Sequence, residues 1–172
     1  MTEFFCISPN MPAQAVLNLI QLFQSHGIQV WIDGGWAVDA VLGRETRPHE
    51  DLDLALAHAD VPQLRQILEN QGFTDLPRDD TRDCNFVLAH TNGQQVDIHS
   101  FTFDADGHCI FGVPYPAASL TGKGQITGVE VDCIAPEWLL KFKTGYTLRA
   151  KDFTDVNALC EHFGFELPPE YR

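Results

Sequence analysis

The stretch from Ile28 to Ala57 leaves this chain few folds to choose from. Ile28, Val30 and Ile32 alternate with their neighbours, which predicts a strand over 28–33 with Asp33 at its end. Gly34 and Gly35 then turn the chain into a short helix, from Trp36 to Leu42, stopped by Gly43. A polar loop, RETRPHE, feeds a second strand from Asp51 to Ala57. Strand, glycine turn, helix and strand within thirty residues call for a sheet with helices packed on it.

The flanking sequence extends this pattern. Residues 10–26 read as an amphipathic helix, with Asn10 as cap, Pro12 in the first turn, and Val16, Leu19, Ile20 and Phe23 as its apolar stripe up to Gly27. A further helix runs from Val61 to Asn70. Residues 84–90 and 94–101 form a hairpin around Asn92–Gly93, and 125–127 with 129–134 form another that pivots at Gly128. Helices over Pro136–Leu148 and Lys151–Phe163 close the chain. The expected architecture is one α+β domain over residues 1–172, a mixed β-sheet flanked by helices.

Composition narrows the function. A formal charge of −13 argues against nucleic acid as partner, because phosphate contacts need clustered Lys and Arg. It favours small neutral or cationic substrates, although many acidic proteins owe their charge to solubility alone. No apolar run spans a membrane, and the start MTEFFCISPNMP lacks the basic and apolar regions of a leader, so a cytoplasmic protein is expected. Cys6, Cys84, Cys109, Cys133 and Cys160 are scattered without a C-x-x-C pair, which speaks for reduced thiols rather than zinc or disulfides.

The chemistry-bearing residues are acidic. On a strand, Asp51 and Asp53 share one face while Leu52, Leu54 and Leu56 take the other. Two carboxylates about 7 Å apart along a strand repel unless a cation lies between them, and Mg²⁺ is a hard ion suited to oxygen ligands. Asp97, between Val96 and Ile98, can add a third carboxylate from a neighbouring strand. Each feature alone has a plainer reading: D-x-D as a solvated strand face, Gly34–Gly35 as a tight turn, Asp97 as a polar-face residue. Together they describe a two-metal phosphoryl-transfer site beside a glycine turn and helix N-terminus that can hold phosphate. Asp97 is open to two roles, metal ligand and general base, with His99 and Asp83 next in line. Lys141 and Lys143 can reach phosphate from their helix or remain solvated, and Trp31, Trp36, Trp138 and Tyr146 read as core or pocket wall.

The segment GGWAVDAVLGRETRPHEDLDL resembles the nucleotide-binding segment of the antibiotic nucleotidyltransferases of the aminoglycoside and lincosamide type. These belong to the DNA-polymerase-β-like nucleotidyltransferase superfamily, marked by a Gly-Gly or Gly-Ser turn, a D-x-D and a later lone Asp. QVDIHSF, YPAASLTGKGQITGVEVDCIAPEWLLKFKTGY and KDFTDVNALCEHFGFELPPEY are similar to the lincosamide branch, so the resemblance covers nearly the whole chain. It implies an ATP-like donor, Mg²⁺ on Asp51 and Asp53, and Asp97 as third carboxylate and candidate base. Gly34, Gly35, Arg44, Thr46, Arg47 and His49 would surround the triphosphate. A homodimer is implied as well, with active sites completed near the subunit interface. The sequence departs from the branch at Lys143, where a His is common, and near Thr147, where an acid is. The resemblance thus implies transfer of a nucleoside monophosphate, AMP in the first instance, to a hydroxyl of a lincosamide or aminoglycoside. The competing readings are another acceptor (a tRNA end, a protein or a toxin–antitoxin partner) and a non-catalytic nucleotide-binding module. The acidic chain counts against tRNA, and the three intact aspartates count against the module.

Overall fold

The structure, a computed structural model, describes residues 7–172. Cys6 and the first residues of the leader reading lie outside the described residues. The helices are α1 (Ala13–Ser25), α2 (Gly34–Leu42), α3 (Val61–Asn70), α4 (Pro136–Phe142) and α5 (Ala150–Phe163). The strands are β1 (Val30–Asp33), β2 (Leu52–Ala57), β3 (Thr74–Asp75), β4 (Asn85–Ala89), β5 (Gln95–Phe103), β6 (Cys109–Gly112), β7 (Gly122–Ile126) and β8 (Val129–Cys133). They form one mixed sheet in the order β3-β4-β5-β2-β1-β8-β7, with β6 also pairing β5. This is the α+β arrangement expected.

One pairing pattern positions everything that follows. β1 runs antiparallel to β2, and β2 runs parallel to β5. The register sets Asp33 opposite Asp53 and Asp53 opposite Asp97, so three aspartates form one row across three adjacent strands. Alternation then commits the intervening residues: Leu52, Leu54, Leu56, Val96 and Ile98 are fully buried. They join a core completed by Val16 and Phe23 of α1 and by Leu64 and Leu68 of α3. A one-residue slip of β2 would exchange its leucines and aspartates, which explains why the register is so strongly specified.

Several elements differ from expectation, each for a local reason. α1 begins at Ala13 with Pro12, not Asn10, at its N-cap, and the backbone N–H of Asn10 donates instead to the Gly93 carbonyl at 3.0 Å. α2 starts at Gly34 itself, capped by the Asp33 carboxylate, which accepts from the Gly34 amide at 2.7 Å. The β4–β5 connection is a five-residue loop over 90–94, closed by the His90 amide donating to the Gln94 carbonyl at 2.8 Å. The β7–β8 turn does pivot at Gly128, preceded by Thr127 at φ 47°, as a two-residue hairpin with the sheet's twist requires. α4 stops at Phe142, six residues early, where Thr144 Oγ1 donates to the Lys141 carbonyl and Gly145 turns to φ 84°. Strands β3 and β6 are additional. α2 lies hard against β7, where a side chain on Gly124 would collide with the Ala40 backbone.

Candidate active site

The C-terminal end of β1 and the first residues of β2 and β5 meet at one edge of a cleft of about 580 Å³. That size lies within the roughly 300–1,000 Å³ typical of small-molecule sites. Asp51, Asp53 and Asp97 line it together, Asp53 and Asp97 set side by side by the register and Asp51 just ahead of β2. His99, one alternation beyond Asp97, leans into the same cluster: its Nε2 stands 3.5 Å from Asp53 Oδ1 and 3.6 Å from Asp97 Oδ1. Asp33 completes the row and also faces the cleft.

Packing this many acids together shifts them apart in acidity. Burial, reinforced by the charge of Asp53, pushes the Asp51 carboxyl up to about 6. Burial also raises Asp97, and the charges of Asp53 and Asp51 add to it against the opposing pull of His99, leaving it at about 7. Burial would raise Asp53 too, but the His99 hydrogen bond and the charges of His99, Lys151 and Lys143 outweigh it and hold this carboxyl below its usual range. The His99 imidazole is opposed by burial yet pushed up to about 9 by Asp53, Asp97 and Asp33. One firmly ionised carboxylate thus stands beside two whose ionisation calls for a nearby cation. The carboxylates fit a hard divalent metal: ligand atoms of Asp53 and Asp97 lie within 4.8 Å of one another and of His99, with Asp51 also lining the cleft just ahead of β2.

The facing wall is basic. Arg47 donates from Nε and Nη2 to the two oxygens of Asp155, both at 2.9 Å, while its guanidinium still borders the cleft. Lys143 Nζ lies 3.1 Å from the same Asp155 and 3.4 Å from Asp152 Oδ1. Both α5 acids are buried, and Asp152 also accepts from the Tyr146 hydroxyl at 3.0 Å and from the Arg149 amide at 2.9 Å. Arg78, Arg149 and Lys151 border the cleft as well. The N terminus of α2 opens between the two walls, offering backbone N–H groups that lack intrahelical partners. Gly34 takes φ 60°, and a side chain there would overlap the Asp53 carboxylate; one on Gly35 would meet the Arg47 guanidinium and the His49 ring. The two glycines therefore let the acidic and basic walls close on the helix start.

Gly34, Gly35, Arg47 and His49 border the cleft, whereas Arg44 and Thr46 do not. Thr46 is turned inward: its amide and hydroxyl donate to the buried Asp39 at 3.1 and 2.5 Å. His49 Nε2 lies 2.6 Å from the same carboxylate, and its ring packs on Trp36 at 4.4 Å between centroids. These contacts pin the 43–50 loop to α2 and so aim Arg47. Arg44 borders a separate surface hollow beside Ala158 and His162. Asp83 is exposed. Four participants escaped the sequence reading. Asp33 was legible as an Asp at a helix N-cap. Asp152 and Asp155 carried a weaker signal, two acids at i and i+3 on one helix. Arg78 carried none.

A mixed sheet with this row of carboxylates, faced by basic side chains and a helix N terminus, belongs here to a nucleotidyltransferase, an enzyme class that works with a nucleotide donor and usually metal ions. The chain belongs to the aminoglycoside-2''-adenylyltransferase family, whose model matches residues 15–159. It is 24% identical to a lincosamide resistance protein of Staphylococcus haemolyticus over 159 residues, 87% of this chain and 95% of that protein. It is 31% identical to a 2''-aminoglycoside nucleotidyltransferase of Escherichia coli over 116 residues, 67% of this chain and 63% of that one. Its fold matches a lincomycin-bound lincosamide antibiotic adenylyltransferase, LnuA, with a TM-score of 0.76 at 24% identity, covering 87% of this chain and 97% of the other. It also matches ANT(2'')-Ia in complex with adenylyl-2''-tobramycin, with a TM-score of 0.71 at 21% identity over 88% and 89%. Among the described residues no helix is long and apolar enough to cross a membrane.

Proposed function

We propose that the protein transfers AMP from ATP to a hydroxyl of a lincosamide or aminoglycoside antibiotic. The observation that carries this reading is the shared row of Asp53 and Asp97 on adjacent parallel strands, with Asp51 beside them and the Arg47–Lys143 wall opposite. Asp51, Asp53 and Asp97 would hold Mg²⁺, which when bound polarises phosphoryl oxygens and acidifies a ligated hydroxyl. The chain's own residues do the rest. Arg47 and Lys143, immobilised on Asp155, offer fixed positive charge to the triphosphate and to the pyrophosphate that leaves. The α2 N terminus binds phosphate oxygens through backbone N–H groups. Asp97, in the same row and lining the same cleft, is our candidate for the base that takes the acceptor hydroxyl's proton. A cytoplasmic homodimer is part of this reading, to be checked by sedimentation of the purified chain.

The test is incubation with labelled nucleoside triphosphates, Mg²⁺ and an antibiotic panel that includes lincomycin and tobramycin, read by mass spectrometry. An adduct one adenylyl group heavier is expected. Adducts with no antibiotic, but with a tRNA end or a protein, would transfer the chemistry to that acceptor; triphosphate binding without any adduct would leave a binding module.

A further inference from the structure

Beside the carboxylate row, and sharing Asp33 and His99 with it, lies a second cavity of about 270 Å³ whose remaining lining is Val113, Pro114, Tyr115 and Phe142. The contrast with the main cleft is sharp: one is walled by ionised groups, the other by an aliphatic, a proline and two aromatic rings. We infer that this cavity is the acceptor subsite, and that it takes a compact apolar substituent of the acceptor, thereby favouring hydroxyl compounds with an alkyl or saturated-ring group over polycationic ones. This rests on the transfer reading above and adds to it which kind of acceptor fits.

Three observations support the assignment. The cavity is continuous with the chemistry, since Asp33 and His99 belong to both spaces and Asp33 stands in register with Asp53. A group lodged in it therefore sits next to the reacting atoms. The walls are also preorganised. Tyr115 is buried, donates its hydroxyl to Asp33 Oδ2 at 2.6 Å, and meets the rings of Phe101 and Phe142 edge-on at 5.8 Å each. Trp138 backs Phe142 at 5.9 Å, and the Val113 amide is tied to the Ser100 carbonyl at 2.9 Å. Rigid walls of this kind bind without an ordering cost. Finally, the volume falls below the roughly 300 Å³ at which pockets for whole drug-sized ligands begin, so it suits one substituent while the hydroxyl-bearing part stays over the carboxylates.

The selectivity follows from desolvation. The net charge of −13 draws cations towards the protein, polycations most, so the selectivity has to come from the cavity. At the cavity itself an ammonium would lose its water against Val113, Pro114 and Phe142, with only the Asp33 carboxylate, already holding the Tyr115 hydroxyl and the Gly34 amide, to receive it. An apolar group loses nothing there and gains contact.

The experiment is calorimetry of wild type, Val113→Asp and Val113→Thr with lincomycin and with tobramycin, in the presence of Mg²⁺ and a non-hydrolysable ATP analogue, beside titrations of the analogue alone. Lincomycin should bind the wild type more tightly than tobramycin. Val113→Asp should weaken lincomycin at least tenfold, within the roughly 10–200-fold that small changes to an apolar pocket produce, and leave analogue affinity within about twofold, a bound set by treating this separate site as independent. Val113→Thr, nearly the same shape, guards against misfolding and should show a smaller loss in the same direction. Preference for tobramycin, unchanged lincomycin affinity in both variants, or binding of neither antibiotic would overturn the assignment. Binding as expected with no adduct formed by the wild type would uphold the subsite and instead remove the transfer reading.

Discussion

Asp97 is opposed by Val87 on one side and Asp53 on the other, so its backbone is held in the row. Asp97→Asn keeps the shape and removes the proton acceptor. Turnover should fall about 10²–10⁴-fold, the usual worth of a general base, with ATP affinity retained; recovery of the rate on adding Mn²⁺ would reassign the residue to metal binding. Gly35 acts through its neighbours. A methyl group at Gly35→Ala would push against the Arg47 guanidinium and His49 ring, and should weaken ATP about tenfold, the worth of one charge-assisted hydrogen bond, without changing acceptor affinity. Separate titrations of the two ligands decide this, and equal losses would point to damage of the whole turn. Alternation alone sufficed to read Asp51 and Asp53 as sharing a face, whereas bringing Asp97 beside them took the β2–β5 register as well. Sequence could not tell that Thr46 turns inward to Asp39, because a loop residue carries no periodicity from which to infer its direction.

At the scale of elements, α5 does more than close the chain. Its first turn brings Asp152 to the Arg149 amide at 2.9 Å, to Tyr146 and to Lys143, and its second brings Asp155 to Arg47 and Lys143. Although burial opposes it, these partners hold the Asp152 carboxyl below its ordinary range. Such a group stabilises the fold above its unfolded-state value, near 3.9, and that contribution is lost as pH falls through the lower folded value. Asp152→Asn should therefore cost about 2 kcal/mol at pH 7, as for a hydrogen bond to a charged group, and lower Tm by about 4–8 °C. As pH falls through that lowered folded-state value the two melting curves should converge, because wild-type Asp152 is then losing its charge; a gap independent of pH would mean that packing, not charge, is at stake. Long periodic segments such as α3 and β2 were legible in the sequence. The end of α4 and the short strands β3 and β6 were not: Lys143 is drawn out of helix by acids on α5, and β6 exposes Ile110 and Phe111 along an edge without alternation.

For the molecule as a whole, donor binding and folding are linked. ATP with Mg²⁺ at about a hundred times its dissociation constant should stabilise the native state by about 2.7 kcal/mol, or raise Tm by about 5–10 °C for a domain of this size. Asp53→Asn should lose most of the Mg²⁺-dependent part of that shift; equal shifts in both proteins, compared with and without a chelator, would separate Asp53 from the metal. The parallel pairing of β2 with β5 has a consequence in time as well as in space. It joins Asp53 to Asp97, residues 44 positions apart (97 − 53), across the intervening α3, β3 and β4. Contacts so distant in sequence form only after the loop between them has been closed, which makes them slow. A chain refolding from urea would therefore regain its helices while still unable to bring two of its three acids together. Enzyme activity should be the last signal to return, a clock that reads the moment β2 and β5 meet.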